Sequence, residues 1–145
     1  MRKNLLILTL SVALSSAALA QSSPTGLWRT IDDDGKTEKS WVRITEANGV
    51  WSGRIEKIVD PAKAQAVCEA CSDDRKGKPL QGLTILREVR AADGGVWEGG
   101  EILDPNNGKS YKVRMKPVDD GKKMEVRGYI GLPLLGRTQT WLRAE

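Results

Sequence analysis

The sequence contains no histidine and no phenylalanine, and only two cysteines in 145 residues. The missing histidine removes whole classes of chemistry. No Ser-His or Cys-His nucleophile pair can be assembled. Neither a His-based zinc site nor a non-haem iron site is available, and two cysteines alone do not close a structural zinc site. No carboxylate pair sits at a spacing that fixes catalytic geometry. The sequence therefore reads as non-enzymatic, with no metal and no cofactor expected. It also lacks the one-signed basic stripe that nucleic acid requires. The formal charge is +4, but two of the cations, Arg2 and Lys3, lie at the extreme N-terminus. The rest alternate with acids, as in Arg54-Ile55-Glu56-Lys57 and Lys122-Lys123-Met124-Glu125. Asp32-Asp33-Asp34, beside Gly35-Lys36, reads as a solvated turn, because the wider ligand pattern of a calcium loop is missing.

What is present begins with an export signal. Arg2 and Lys3 precede a mostly apolar run, Leu5 to Leu14, and Ala18-Leu19-Ala20 places small residues where a signal peptidase needs them. The run is too short for a lasting span of a bilayer about 30 Å thick. Residues 1–20 are read as a signal peptide and 21–145 as one domain. No transmembrane candidate follows, so a periplasmic or secreted protein is expected.

Beyond Gln21, short stretches alternate apolar and polar residues between turn signals, the pattern of an all-β barrel or sandwich. Eight strands can be drawn, at about 26–31, 39–46, 50–58, 82–90, 95–103, 109–117, 122–130 and 137–143. Asn48-Gly49 reads as a tight hairpin turn, since both residues tolerate positive φ. Pairing consecutive strands predicts an eight-stranded antiparallel up-and-down barrel, whose closure removes exposed edges. One short helix, about Pro61 to Ala66, is expected in the long 59–81 connection. Period-2 alternation points these residues inward: Val42 and Ile44; Trp51, Gly53 and Ile55; Leu83 and Ile85; Trp97 and Gly99; Tyr111, Val113 and Met115; Met124, Val126 and Ile130. Trp41 is placed outside. Without phenylalanine, the five tryptophans carry the aromatic packing, each able to bury about 150–250 Å².

Gly26-Leu27-Trp28 and Trp141-Leu142-Arg143 resemble the calycin group, which includes the lipocalins. In that group an arginine near the end of the last strand lies over a tryptophan of the first. The resemblance implies that Trp28 and Arg143 close the barrel, with a cation–π contact worth about 0.5–2 kcal/mol. Almost the whole of 21–145 is also similar to a bacterial family known as domain of unknown function 2147, small exported proteins with a lipocalin-like barrel. That similarity rests on Gly26-Leu27-Trp28-Arg29-Thr30, Cys68-x-x-Cys71, Lys78-Pro79 and Gly82-Leu83. It continues through Gly99-Gly100-x-Ile102-Leu103-Asp104-Pro105, Gly108-Lys109-x-Tyr111 and Val126 to Gly131, and ends with Leu135 to Trp141.

Alternating strand direction puts Trp28, Arg143 and the short turns 48–49, 91–94 and 118–121 at one end. The longer connections 32–38, 59–81, 104–108 and 131–136 fall at the other, making a cup with a mouth. Two odd segments meet there. Cys68-Glu69-Ala70-Cys71 is expected to be a disulfide in an oxidising compartment, stiffening a long loop. A thiol–disulfide exchange centre is the sharper alternative, without its usual βαβ context. Gly131-Leu132-Pro133-Leu134-Leu135-Gly136 either plugs the barrel or forms an apolar rim. Arg127 and Tyr129 are placed outside, while Arg137 and Gln139 flank the mouth. Glu101 is expected inside as a polar anchor, because it alternates with Trp97 and Gly99. The candidate ligand-binding set is Trp51, Trp97, Glu101, Tyr111, Met115, Leu132, Leu134 and Leu135, for a small apolar or amphipathic molecule or lipid. The alternatives are an envelope interaction or structural protein with a filled barrel, or a redox protein using Cys68 and Cys71; a homodimer is among the partners considered.

Overall fold

A computed structural model describes residues 22–145. The predicted signal peptide, residues 1–20, and its cleavage junction at Gln21 lie outside the described residues. The chain forms a closed barrel of eight strands in sequence order. They are β1 (Gly26–Ile31), β2 (Glu38–Ala47), β3 (Val50–Ile58), β4 (Thr84–Ala92), β5 (Val96–Asp104), β6 (Lys109–Val118), β7 (Lys123–Tyr129) and β8 (Arg137–Arg143). Every neighbouring pair is antiparallel, and β8 closes on β1 through Trp28 opposite Arg143 and Arg29 opposite Leu142. Among the described residues no helix is long and apolar enough to cross a membrane. The expected helix in the long connection is a single 3-10 turn, Pro61–Lys63, started by Asp60, whose carboxylate accepts from the Ala62 N–H. A second such turn covers Pro133–Leu135. Both begin at proline, and neither segment has the length or apolar spacing of an α-helix.

The tight turns behave as their residues dictate. Asn48 and Gly49 both take positive φ, 52° and 78°, the two-residue turn whose twist matches the flanking strands. Alternation also holds across most of the barrel. Val42, Ile44, Ile55, Leu83, Ile85, Trp97, Val113, Met115, Met124 and Val126 are buried in one cluster with Trp28 and Trp141. Trp41 stands on the outer face, its Nε1 on Glu38 and Lys57 Nζ 5.0 Å from its ring centre.

The alternation breaks where β4 meets β5. Glu88 takes φ 56°, and the β3–β4 register shifts between Trp51–Val89 and Gly53–Leu86. Leu86 and Val89 are therefore buried, although a strict period from Leu83 and Ile85 puts Leu86 outside. The bulge presses against Gly100, where a Cβ would lie 2.0 Å from the Arg87 carbonyl oxygen. Only glycine fits there, and β5 slips phase as it passes. The slip re-aims the residues beside it, while Leu103 further on stays buried. Gly99 is exposed rather than inward, and Ile102, not Glu101, lines the interior. Ile130, also placed inward by alternation, is 65% exposed because β7 has already ended at Tyr129.

Candidate functional site

The closed end is solid. Trp28 is fully buried, and its indole N–H donates to the Pro24 carbonyl at 2.7 Å. The Arg143 guanidinium lies 4.2 Å from the Trp28 ring centre. It donates to the carbonyl oxygens of Gly121, of Thr25 at 2.8 Å and of Ser23 at 2.7 Å. One side chain thus ties the chain start, the last turn and the final strand together. Burial lowers the proton affinity of this guanidinium from its ordinary value. Nearby, Trp51 and Trp97 meet edge to face with ring centres 5.9 Å apart.

The other end is hollow. A cavity of about 620 Å³ opens among the 32–37, 59–83, 105–108 and 130–136 connections. Ile55, Ile58, Leu80, Ile85, Ile102 and Val126 give it an apolar wall, and Asp32, Asp33, Glu38, Lys39, Asp60 and Lys63 also line it. Gly128 also lines it and leaves part of the wall bare. A Cβ built on Gly128 would meet the Tyr111 side chain at 3.5 Å, an ordinary contact.

Polar groups enter the cavity as a connected line. Trp141 Nε1 donates to Gln139 Oε1 at 3.2 Å, and Gln139 Nε2 donates to Asp33 Oδ1 at 3.0 Å. Asp33 pairs with Arg137 at 3.0 Å, whose guanidinium also approaches Asp104 at 3.9 Å. Deeper in the wall, the buried Thr30 and Ser40 hydroxyls bond each other at 2.8 Å. Such a pair uses one of its two O–H donors internally and leaves one to donate elsewhere. Asn107 Nδ2 holds the Tyr111 hydroxyl at 2.9 Å. Thr30, Ser40 and Gln139 were all legible as inward, in phase with Trp28, Val42 and Trp141. Asp33 was not, because its partner is 106 positions away.

The predicted site residues divide. Tyr111 and Leu135 line the cavity. Trp51, Trp97 and Met115 do not; they pack below it in the closed end. Glu101 is displaced to the outer face by the slip in β5, with its side chain 43% exposed and 3.5 Å from Arg75. Leu132 and Leu134 stand outside the cavity on the lip. The 131–136 loop does not plug the barrel. Arg127 holds it from outside, donating to the carbonyl oxygens of Pro133 and Leu134 and to Thr138 Oγ1.

Cys68 and Cys71 form a disulfide, and both residues are buried. Their loop is pinned by the Cys68 N–H on Lys78 O and the Gly77 N–H on Cys68 O, each at 2.8 Å. Arg75, 2% exposed, fastens this strap to the barrel. It reaches both Asp73 oxygens, Thr84 O at 2.9 Å and Ser110 Oγ at 3.3 Å. Hydrogen bonds from Arg75 draw the Asp73 carboxyl down from its usual 3.8 to about 2. Arg87 and Asp74 add a two-pronged pair at 3.0 and 3.1 Å. Nothing in the local sequence around Arg75 marks this role, since its barrel partners lie 9, 26 and 35 residues on.

Residues 26–143 match the sequence pattern of a bacterial family described as "Uncharacterized protein conserved in bacteria (DUF2147)". Among solved structures, the chain is similar to protein HP1028 from Helicobacter pylori, described as belonging to the lipocalin family. The two superpose with a TM-score of 0.74 at 22% identity, covering 86% of this chain and 84% of that one. At that identity the likeness concerns the fold. No curated protein matches the sequence.

Proposed function

The chain belongs to the bacterial family DUF2147, and from that membership and its hollow barrel we propose that it is a non-enzymatic binding module for a small amphipathic molecule, acting in the periplasm or outside the cell. The observation that carries this reading is the cavity of about 620 Å³ behind an open mouth. Pockets of about 300–1,000 Å³ with apolar walls and a few placed polar groups are the usual form of small-molecule sites. Here the apolar wall takes the body of the ligand. The spare hydroxyl donor at Thr30–Ser40 and the Gln139 amide offer it polar contacts. Barrels of this kind are associated with small hydrophobic ligands, and the lipocalin likeness of the fold favours the reading by analogy. Export rests on the N-terminal pattern of residues 1–20 and is compatible with the disulfide.

The redox alternative is disfavoured by burial, because an exchange partner must reach a sulfur. The filled-barrel alternative is disfavoured by the cavity of about 620 Å³.

Native mass spectrometry of gently purified protein, together with a thermal-shift screen of lipid-extract fractions, tests the proposal. A bound or stabilising small molecule is expected. Gly128→Leu places a side chain in the cavity without backbone strain, since Gly128 does not have positive φ. It should abolish that stabilisation, at a cost to the fold of no more than about 1–3 kcal/mol. Equal ligand stabilisation of both proteins would sink the cavity as the site.

A further inference from the structure

The cavity has two unlike sides. From β3 to β7 its lining is apolar. Ile55, Ile58, Ile85, Ile102 and Val126 project from these strands, and the only charged lining side chain on them is Asp104, the last residue of β5. Tyr111 turns its hydroxyl to Asn107 in the 104–108 turn. On β8, β1 and β2, which are contiguous around the barrel, the reverse holds. Thr30, Glu38, Lys39, Ser40, Arg137 and Gln139 line the cavity from there, and Ile31, the last residue of β1, is the one aliphatic side chain among them. The Trp141 indole completes this wall and directs its N–H to Gln139. The polar wall runs down the cup instead of ringing its mouth. Arg137, Gln139 and Trp141 descend β8 at alternate positions, about 13 Å of strand at the usual rise.

At the rim, charges largely answer one another. Lys39 pairs with Asp32, Arg137 with Asp33 and Asp104, and Glu38 with Arg29, while Asp60 and Lys63 bracket one short turn. Below the rim, donors are left over. Thr30 and Ser40 stand opposite each other on β1 and β2, both buried, and their mutual bond leaves one O–H unused. Gln139 gives its carbonyl to Trp141 and one amide N–H to Asp33, which leaves its second N–H. A donor in a dry wall is costly unless something accepts from it. A head-and-tail amphiphile carries its polar atoms at one end, and would lay hydrocarbon against these donors.

We propose that the ligand of the cup is facially amphipathic: a ring system with hydrocarbon along one face and hydroxyl or carbonyl oxygens along the other. Its bare face lies on Ile55, Ile85, Ile102 and Val126, and its oxygens accept from the Thr30–Ser40 pair and from Gln139. Fused rings keep the two faces apart without the entropy cost of ordering a flexible chain. The assignment rests on the cup being a binding site and adds the class of molecule that fits it.

Two uncharged probes separate the classes, by calorimetry on the purified protein below each probe's micelle concentration. One is the alcohol made by reducing the carboxyl of cholic acid, whose ring hydroxyls share one face. The other is monomyristoyl glycerol, with its polar atoms at one end. Neither carries a charge, so the ion pairs of the rim do not decide between them. The bile alcohol should bind about tenfold tighter or more. Thr30→Val with Ser40→Ala exchanges the hydroxyl pair for apolar groups of like shape, a change close to neutral for the fold, which an unchanged denaturant midpoint checks. It should weaken the bile alcohol about tenfold and leave monomyristoyl glycerol as it was. Gln139→Leu should act in the same direction and decides the matter if the double variant is unstable. Equal or tighter binding of monomyristoyl glycerol overturns the proposal. So does a bile alcohol that fails to bind, or a preference that the variants leave intact. In each of those cases a lipid-extract molecule that stabilises the wild type and not Gly128→Leu still marks the cup as a binding site, so the two readings fail separately.

Discussion

The two ends of this barrel use arginine and tryptophan in opposite ways. At the closed end Arg143 lies over Trp28 and donates to four backbone oxygens, while the Trp28 indole donates to a fifth. Every partner is either main chain or a buried ring, so the arrangement has one geometry. At the mouth Arg137 is 63% exposed and pairs with two carboxylates, and the Trp141 indole donates to a glutamine side chain. Those partners are themselves side chains and can rearrange. Stability is thus concentrated where nothing enters, and adaptability where something can.

The contrast breaks most severely at Trp28. Trp28→Ala should cost about 3–5 kcal/mol, read as a drop in the denaturant midpoint, with hydrogen exchange accelerated throughout the barrel. A loss confined to the closed end would mean that the two ends fold as separate units. Replacing both cysteines by serine should cost roughly 2 kcal/mol in a chain-entropy account. Here the faster exchange should be confined to 66–80 and the neighbouring 104–108 turn, with β1 and β8 unchanged. Acid sharpens the same division with the smallest effect. The Asp73 carboxyl is drawn down to about 2 by Arg75, so its contribution is present above pH 4 and lost as pH falls towards 2. Its side chain is 42% exposed, so the effect is muted by solvent. The strap should loosen in that window, by exchange or limited proteolysis, and Asp73→Asn should remove the pH dependence. The Trp28–Arg143 contact holds no carboxylate and should not respond.

The architecture was legible because it is written in short periods. Alternation and turn residues located all eight strands, and strand direction alone located the mouth. Where a local period failed, the cause was a single event. The Glu88 bulge and Gly99-Gly100 shift the phase of two strands, which buries Leu86 and Val89 and turns Glu101 outward. Nothing in the period of β5 announces a bulge that its neighbour imposes. The site was only partly legible for a related reason. Thr30, Ser40 and Gln139 are in phase with known inward residues, yet hydroxyl and amide side chains did not look like a wall. Whether a barrel is hollow depends on volumes summed across it, so the bare wall at Gly128 has no local signature. Long-range ties such as Gln139 to Asp33, and Arg75 to Thr84 and Ser110, exist only once the chain has closed.

Trp141 has a consequence of another kind. Of the five indoles it alone lines the cavity. Trp28 lies beneath Arg143, Trp51 and Trp97 face each other in the closed end, and Trp41 is outside beneath Lys57. The protein therefore carries its own optical gauge, one emitter in the compartment and four away from it. A change in the light from that one ring, absent in Trp141→Tyr, would report when the cup is filled without any label being added.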